Sequence, residues 1–172
     1  MTDLIEMLAG GDRRSIGRSE EVAAEVLADE TLFPELFLGL DSQDPVVSMR
    51  AADALEKITA RRPELLQPYK TELLARAARA RQQELRWHAA QMLPRLELDD
   101  RERRLAVEVL MSYLEDKSSI VRTFAMQALA DLAEQDAGLR PQVIELLRDL
   151  TLRGTPAMQS RGRKLLAKLI GG

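Results

Sequence analysis

One motif returns along this sequence and constrains the fold more than any other feature. Residues 47–55, VSMRAADAL, align without gaps with residues 85–93, LRWHAAQML, and with residues 121–129, VRTFAMQAL, so that the aliphatic and small positions coincide. A weaker copy begins at Met158, and a degenerate one begins at Ser19. The first residues of the five copies are spaced by 28, 38, 36 and 37 residues. Spacing of this length is typical of repeats that contain two helices each.

The composition favours helices throughout the chain. Leucine occurs 29 times and alanine 22 times, whereas aromatic residues make up only 3% of the chain. Both residue types form helices readily, and alanine lets neighbouring helices approach closely. No stretch of five or more residues alternates cleanly between apolar and polar side chains, as a half-buried strand does. We therefore predict an all-α fold without β-structure.

Start and stop signals divide the chain into ten predicted helices arranged as five hairpins. Asp44 before Pro45 has the form of an N-cap followed by proline in the first helical turn. Asp99 and Glu102 have the spacing of a capping box. Pro94 removes a helical hydrogen bond and predicts a kink or an end late in the second helix of the third hairpin.

The five hairpins are predicted to form five repeats of a single domain. The first repeat is degenerate, with a short helix over residues 2–9 and a charged turn over residues 12–18. It has the character of the N-terminal cap that a stack of repeats needs, because an end repeat lacks a neighbour on one side. In chain order the repeats cover approximately residues 1–29, 30–62, 63–98, 99–137 and 138–172.

The repeated motif resembles the HEAT repeat. The resemblance lies in an outer helix, a turn that contains Asp-Pro, and an inner helix of the form Val-Arg-x-x-Ala-Ala-x-Ala-Leu, with residues 44–55 and 121–129 the closest matches. It extends over residues 30–170. It implies an all-α, right-handed α-solenoid of about five antiparallel helix pairs, as in HEAT and armadillo-like proteins, and a role as a binding scaffold.

The sequence departs from the HEAT pattern at the recurrent arginine. This arginine is present as Arg86 and Arg122 in two of the five copies. The other three copies have Glu20, Ser48 and Gln159 in its place. Any ladder of ion pairs between the repeats is therefore expected to be incomplete.

A helical wheel divides the inner-helix motif into a core face and an exposed face. Val47, Ala51 and Leu55 fall in one arc, which we expect to be core, whereas Met49 and Asp53 point the opposite way. In HEAT-like stacks the exposed surface of the inner helices forms the concave wall. The predicted partner-binding residues on this wall are Met49, Arg50, Asp53, Trp87, His88, Gln91, Thr123, Phe124, Gln127, Arg161 and Lys164.

The only tryptophan of the chain falls on this predicted wall. An exposed aromatic residue in the middle of a concave surface is suited to anchor a partner, so Trp87 is the first candidate for that role. The alternative is that Trp87 lies flat over neighbouring alanine and methionine side chains as irregular packing. We expect His88 to be a polar residue at the rim, since no second histidine or cysteine exists to share a metal with it.

Charge is distributed unevenly along the chain. The net charge is −3, but residues 1–44 carry −8, residues 45–150 carry 0 and residues 151–172 carry +5. Opposite ends of this kind predict weak, salt-sensitive head-to-tail association between copies. The alternative is that each end is simply a solvated cap.

Several classes of function are disfavoured by the residues that are missing. The chain has no cysteine and one histidine, so we expect no disulfide, no metal site and no cofactor. It contains no glycine-rich phosphate loop and no nucleophile elbow, so we predict that it is not an enzyme. No apolar run reaches the length of a membrane span, and the N-terminus lacks the layout of a signal peptide. We therefore expect a cytoplasmic protein without a membrane partner.

The leading hypothesis is a non-catalytic scaffold or adaptor that binds a protein or peptide on the concave face, with Trp87 and Phe124 as apolar anchors. A second hypothesis is nucleic-acid binding, as in the alkylpurine DNA glycosylases that are built on HEAT-like repeats. It is disfavoured because the central segment is electroneutral and offers no carboxylate beside several aromatic residues. Nucleic-acid binding is nevertheless supported by a cluster of basic residues, which are Arg76, Arg79, Arg81 and Arg86. A third hypothesis is a non-catalytic subunit of a lyase or another enzyme complex.

Overall fold

The computed structural model describes residues 3–172, and over that range every regular element is helical. The all-α prediction is confirmed for these residues. The predicted start of the first helix at Thr2 lies outside them. The α-helices are α1 (Leu4–Leu8), α2 (Ser19–Ala28), α3 (Phe33–Leu38), α4 (Pro45–Arg61), α5 (Lys70–Arg79), α6 (Gln83–Met92), α7 (Asp100–Tyr113), α8 (Ser119–Gln135), α9 (Arg140–Arg153) and α10 (Pro156–Gly171).

The predicted helix starts are present because local side chains satisfy the first free backbone N–H groups. The Asp44 carboxylate accepts from the backbone N–H of Val46 at 2.9 Å at the start of α4. At the start of α7, Asp99 and Glu102 form the predicted capping box, with both N–O distances 2.8 Å. Pro94 ends α6 rather than kinking it, since a short 3-10 turn replaces the α-helix after Met92.

The chain divides into two compact units. The N-terminal unit ends at Leu96 and the C-terminal unit begins at Glu97, close to the predicted boundary between the third and fourth repeats. In the N-terminal unit α4 packs against both α2 and α6. In the C-terminal unit α10 packs against both α8 and α9.

Helices α8 and α10 of the C-terminal unit run in the same direction. The Ser119 and Thr155 hydroxyls lie 2.7 Å apart near the starts of α8 and α10. Further along both helices, Lys168 Nζ lies 2.9 Å from Glu134 Oε1. The paired residue numbers increase together, as parallel helices require.

The motif's small and aliphatic positions supply the core. Its first residue is the third residue of each of the helices α4, α6, α8 and α10. Residues at the fifth, eighth and ninth positions are almost all buried, and those below one-tenth exposed are Ala51, Ala54, Leu55, Ala89, Met92, Leu93, Ala125, Ala128, Leu129, Gly162 and Leu165.

The degenerate first copy does not share this register. Ser19 is the first residue of α2, and its Oγ donates to Asp53 Oδ2 at 2.6 Å. Ser19 therefore lies beside the seventh residue of the α4 motif, whereas the sequence alignment equated it with the first. The preceding residues form a loop in which Gly10, Gly11 and Gly17 have positive φ, a conformation that an α-helix excludes.

Candidate functional site

Arg50 is buried beneath the N-terminal loop, which here means residues 9–18. Only 3% of Arg50 is exposed. Its Nη1 donates to the backbone oxygens of Leu8 at 2.8 Å and Gly10 at 2.6 Å, and its Nε donates to the oxygen of Ser15 at 3.1 Å. The expectation that Arg50 lies on an exposed face is therefore wrong, since its guanidinium is buried and bonded to main-chain carbonyls of its own chain.

Gly17 lets the N-terminal loop lie directly on this guanidinium. Its φ is +54°, and a Cβ at this position would lie 2.6 Å from Arg50 Cζ. Only glycine adopts such a backbone conformation freely and also leaves the space open. Arg50 and Gly17 thus form one structural contact, and neither side chain position is available to a partner.

Met49 and His88 are also buried, contrary to expectation. Met49 is 6% exposed and His88 is 8% exposed. The N-terminal loop is tied to α6 as well as to α4, because Arg13 Nη2 donates to Glu84 Oε2 at 3.1 Å. A helical wheel gives the angular position of a side chain but takes no account of a segment that covers the helix.

Asp53 joins three helices of the N-terminal unit. Its Oδ2 accepts from Ser19 Oγ and from Lys57 Nζ, both at 2.6 Å. Its Oδ1 lies 3.9 Å from His88 Nε2. Asp53 thus links α2 to α4 and lies close to α6, and because it is only partly exposed it offers a partner only part of its surface.

His88 is a buried residue rather than a polar residue at the rim. Burial lowers its pKa, and the negative charges of Asp53 and Glu56 oppose that shift without reversing it. Its Nδ1 is buried and has no hydrogen-bond partner among residues 3–172. In the same part of the chain no group of three or more potential ligands could hold a metal ion.

Trp87 and Gln91 remain accessible on α6. Both are partly exposed, and Gln91 Nε2 donates to the backbone oxygen of Trp87 at 3.3 Å. The Trp87 ring is tilted against the ring of His88, with 5.7 Å between their centroids. Trp87 therefore contacts the buried His88, and part of its surface remains exposed to solvent.

The predicted residues of the C-terminal unit lie at its surface. Thr123, Phe124, Gln127 and Arg161 are partly exposed and Lys164 is exposed. Arg161 Nη1 donates to Gln127 Oε1 at 2.7 Å, which links α10 to α8. The structure thus brings Gln127 and Arg161 together, as it does Asp53 and His88 in the N-terminal unit.

Asp131 lies beside Gln127 and Arg161, but the helical-wheel prediction did not include it. Gln127 Nε2 donates to Asp131 Oδ1 at 2.9 Å, one turn further along α8. Burial raises the pKa of Asp131, although the hydrogen bond from Gln127 acts in the opposite direction. Its position four residues after Gln127 was the available sequence signal, because residues at that spacing share a helix face.

Three of the four clustered arginines line one cavity in the N-terminal unit. This open cavity has a volume of about 330 Å³ and lies between the α3–α4 turn and the α5–α6 turn. Arg76, Arg79 and Arg81 contribute to its wall. Arg86 is not part of the wall, and its Nε donates to the backbone oxygen of Ala80 at 2.8 Å.

Comparison with known proteins assigns no function to this chain. No family model matches the sequence, and no curated protein is significantly similar to it. Among the helices of residues 3–172, none is both long enough and apolar enough to cross a bilayer.

Proposed function

We propose that this protein is a HEAT-like, right-handed α-solenoid of about five antiparallel helix pairs and that it forms a single domain. Two observations support this architecture: the shared register of the motif in α4, α6, α8 and α10, and the parallel course of α8 and α10. In such a fold the motif-bearing helices form one continuous inner layer.

We further propose that the protein is a non-catalytic scaffold or adaptor that binds a protein or peptide on this inner layer. The observation that carries the proposal is the partial exposure of Trp87 on a helix whose next residues, His88, Ala89 and Ala90, are buried. A rigidly held aromatic side chain with a free edge contributes a large contact area at little cost in conformational entropy.

The chemistry of the two units indicates what the partner presents. Trp87 and Phe124 supply apolar contacts, and Gln91 supplies an amide that can exchange its bond to the main chain for one to the partner. Arg161 and Lys164 supply positive charge on α10. An amphipathic helix or an extended peptide with apolar anchors and an acidic end would satisfy these groups.

The proposal is tested by capturing partners from lysate of the source cell. Trp87→Ala should reduce the recovery of at least one protein by about tenfold, the effect of losing an anchor residue. Leu152→Ala is the matched control, because Leu152 is an 81% exposed apolar residue on α9. Recovery of the same proteins in the same amounts by both variants would contradict the proposal.

Charge asymmetry supports a weaker, secondary association between copies. The acidic residues 1–44 of one molecule would meet the basic residues 151–172 of another, and salt would dissolve the contact. Sedimentation at low and high ionic strength separates this from a purely monomeric protein, which would sediment identically in both.

Nucleic-acid binding is a second candidate function, favoured by the arginine-lined cavity. Retention on single-stranded or duplex DNA that falls steeply with salt would establish it, and lack of retention at low salt would dismiss it.

A role as the non-catalytic subunit of an enzyme complex would use the same inner-layer surface as the scaffold proposal. The cysteine-free chain forms no disulfide that would need an oxidising compartment, and we propose that it works in the cytoplasm.

A further inference from the structure

The arginine-lined cavity of the N-terminal unit has the features of an anion site. It lies at the turns that join α3 to α4 and α5 to α6, and it is lined by residues other than those of the proposed inner-layer surface. Any role it has is therefore separable from that of Trp87.

Arg76 is already engaged and cancels the one acidic group of the cavity. Its Nε donates to Asp41 Oδ1 at 3.0 Å, and its guanidinium lies 4.8 Å from the centre of the Phe37 ring. The Asp41 charge is thus paired, and Arg76 is held in place by two contacts.

Arg79 and Arg81 leave the cavity with two uncompensated positive charges. Both are exposed, and within residues 3–172 neither has a hydrogen bond or an ion pair. Each guanidinium can present two parallel N–H groups to one anion, and two such forks match a dianion better than a single carboxylate.

The rest of the wall adds polar groups and contains no aromatic side chain on which a base could stack. Ser48 is only 2% exposed, and its Oγ lies 3.4 Å from Gln82 Oε1 at the start of α6. No side chain caps that helix start. The apolar part of the wall is aliphatic, formed by Leu40, Ala80 and Leu85, so it offers no aromatic surface for a nucleobase.

We propose that this cavity binds a phosphate monoester dianion carried on a peptide side chain, with Arg79 and Arg81 as its principal ligands. A volume of about 330 Å³ accommodates one phosphate with the side chain that bears it. Two cations beside one open cavity fit a single phosphate, whereas a polynucleotide requires a row of cations along its backbone. The inference does not depend on a partner at Trp87.

The first test is titration with O-phosphoserine and with inorganic phosphate, followed by NMR of the arginine side chains. Both ligands should give saturable shifts, and sodium chloride at equal ionic strength should not. Arg79→Gln with Arg81→Gln should weaken binding by about tenfold or more. Arg101→Gln with Arg148→Gln, which removes two exposed arginines of the C-terminal unit, is the charge-matched control and should leave binding unchanged.

Two outcomes of this titration would overturn the proposed phosphate site. Equal weakening by both pairs of substitutions would show a general effect of net charge and would overturn the site. Shifts that do not saturate would overturn it as well. Trp87→Ala should leave phosphoserine binding unchanged, so failure of the partner proposal and failure of this one are distinguishable.

A gain of affinity gives a test that damage to the fold cannot imitate. Asp41→Asn removes the only carboxylate from the cavity and frees the Arg76 guanidinium toward the ligand. We expect phosphoserine to bind several-fold more tightly to this variant. Affinity equal to or below that of the unmodified protein would contradict the proposed position of the phosphate.

The source of the phosphate is distinguished by comparing three probes. A serine peptide should bind only after phosphorylation, and it should bind more tightly than a short single-stranded oligodeoxynucleotide. If the oligonucleotide binds more tightly and the Arg79→Gln, Arg81→Gln variant abolishes that binding, the peptide assignment is overturned in favour of nucleic acid.

Discussion

The two units place the same motif in different surroundings, and the fourth motif residue shows the difference most clearly. In α4 of the N-terminal unit it is Arg50, buried and bound to the carbonyls of Leu8 and Gly10. In α10 of the C-terminal unit it is Arg161, partly exposed and bound to the side chain of Gln127. Periodicity sets the direction in which a side chain leaves its helix, but a segment outside the repeat decides whether it reaches solvent.

A second difference concerns buried titratable groups. Burial lowers the pKa of His88 in the N-terminal unit and raises the pKa of Asp131 in the C-terminal unit. In both cases burial favours the neutral form of the side chain. Because one group is a base and the other an acid, the two units should respond to pH in opposite directions.

The largest expected effect comes from removing the buried arginine. Arg50→Ala leaves the carbonyls of Leu8, Gly10 and Ser15 without their donor and should destabilise the N-terminal unit by about 3 kcal/mol or more. Arg161→Ala, at the same motif position, should cost less than about 1 kcal/mol because that side chain is partly exposed.

Urea unfolding measures both variants. The only tryptophan lies in the N-terminal unit, so Trp87 fluorescence reports that unit, and far-UV circular dichroism reports the whole chain. Equal losses of unfolding free energy in Arg50→Ala and Arg161→Ala would contradict the comparison, since the contacts between Arg50 and the N-terminal loop would then add nothing to stability.

A pair of glycine substitutions sharpens the account of the loop. Gly17→Ala combines a positive φ with a clash against Arg50 and should cost about 2–3 kcal/mol. Gly10 has φ +82° but open space around its Cβ position, so Gly10→Ala should cost only about 1 kcal/mol. The same unfolding experiment measures the difference, and a Gly10 variant that is the less stable of the two would refute the contact with Arg50.

The smallest expected effect is a pH dependence of the N-terminal unit. The pKa of His88 in the folded protein lies below its ordinary value of 6.5, so protons bind the unfolded chain preferentially. The stability that neutral His88 provides is complete above pH 6.5 and decreases as the pH falls below that value. Asp53, Glu56, Lys57 and Glu84 act on this equilibrium electrostatically, and they remain in the variant His88→Gln.

His88→Gln should therefore lose part of the acid sensitivity when unfolding of the N-terminal unit is followed by Trp87 fluorescence at a series of pH values. An unchanged pH profile would contradict the role of His88 in this acid sensitivity.

Asp131 provides the opposite case, because its raised pKa gives a contribution to stability that decreases as the pH rises through that pKa. Asp131→Asn should remove this contribution from the C-terminal unit.

Helix boundaries could be predicted from the sequence because their causes are local. The Asp44–Pro45 start, the Asp99–Glu102 capping box and the end of α6 before Pro94 each depend on side chains within four residues of the boundary. The buried face of the motif could also be predicted, since alanine and leucine recur with the helical period.

The exposure of the candidate site could not be predicted in the same way. Arg50 is bonded to residues that precede it in the chain by 35 to 42 positions, and no residue of its own helix indicates that contact. His88 is similarly affected by Asp53, 35 positions earlier and on another helix. A periodic pattern identifies two faces of a helix, but which parts of the outer face stay free depends on such distant contacts.

The most direct test of the proposed binding face is photo-crosslinking from position 87 in the source cell. Trp87→p-benzoylphenylalanine places a reactive group on α6, and the same replacement at Leu152 on α9 is the control. The account predicts a covalent adduct with a distinct partner protein from position 87 that is missing from position 152. No adduct from position 87, or the same adducts from both positions, would contradict it.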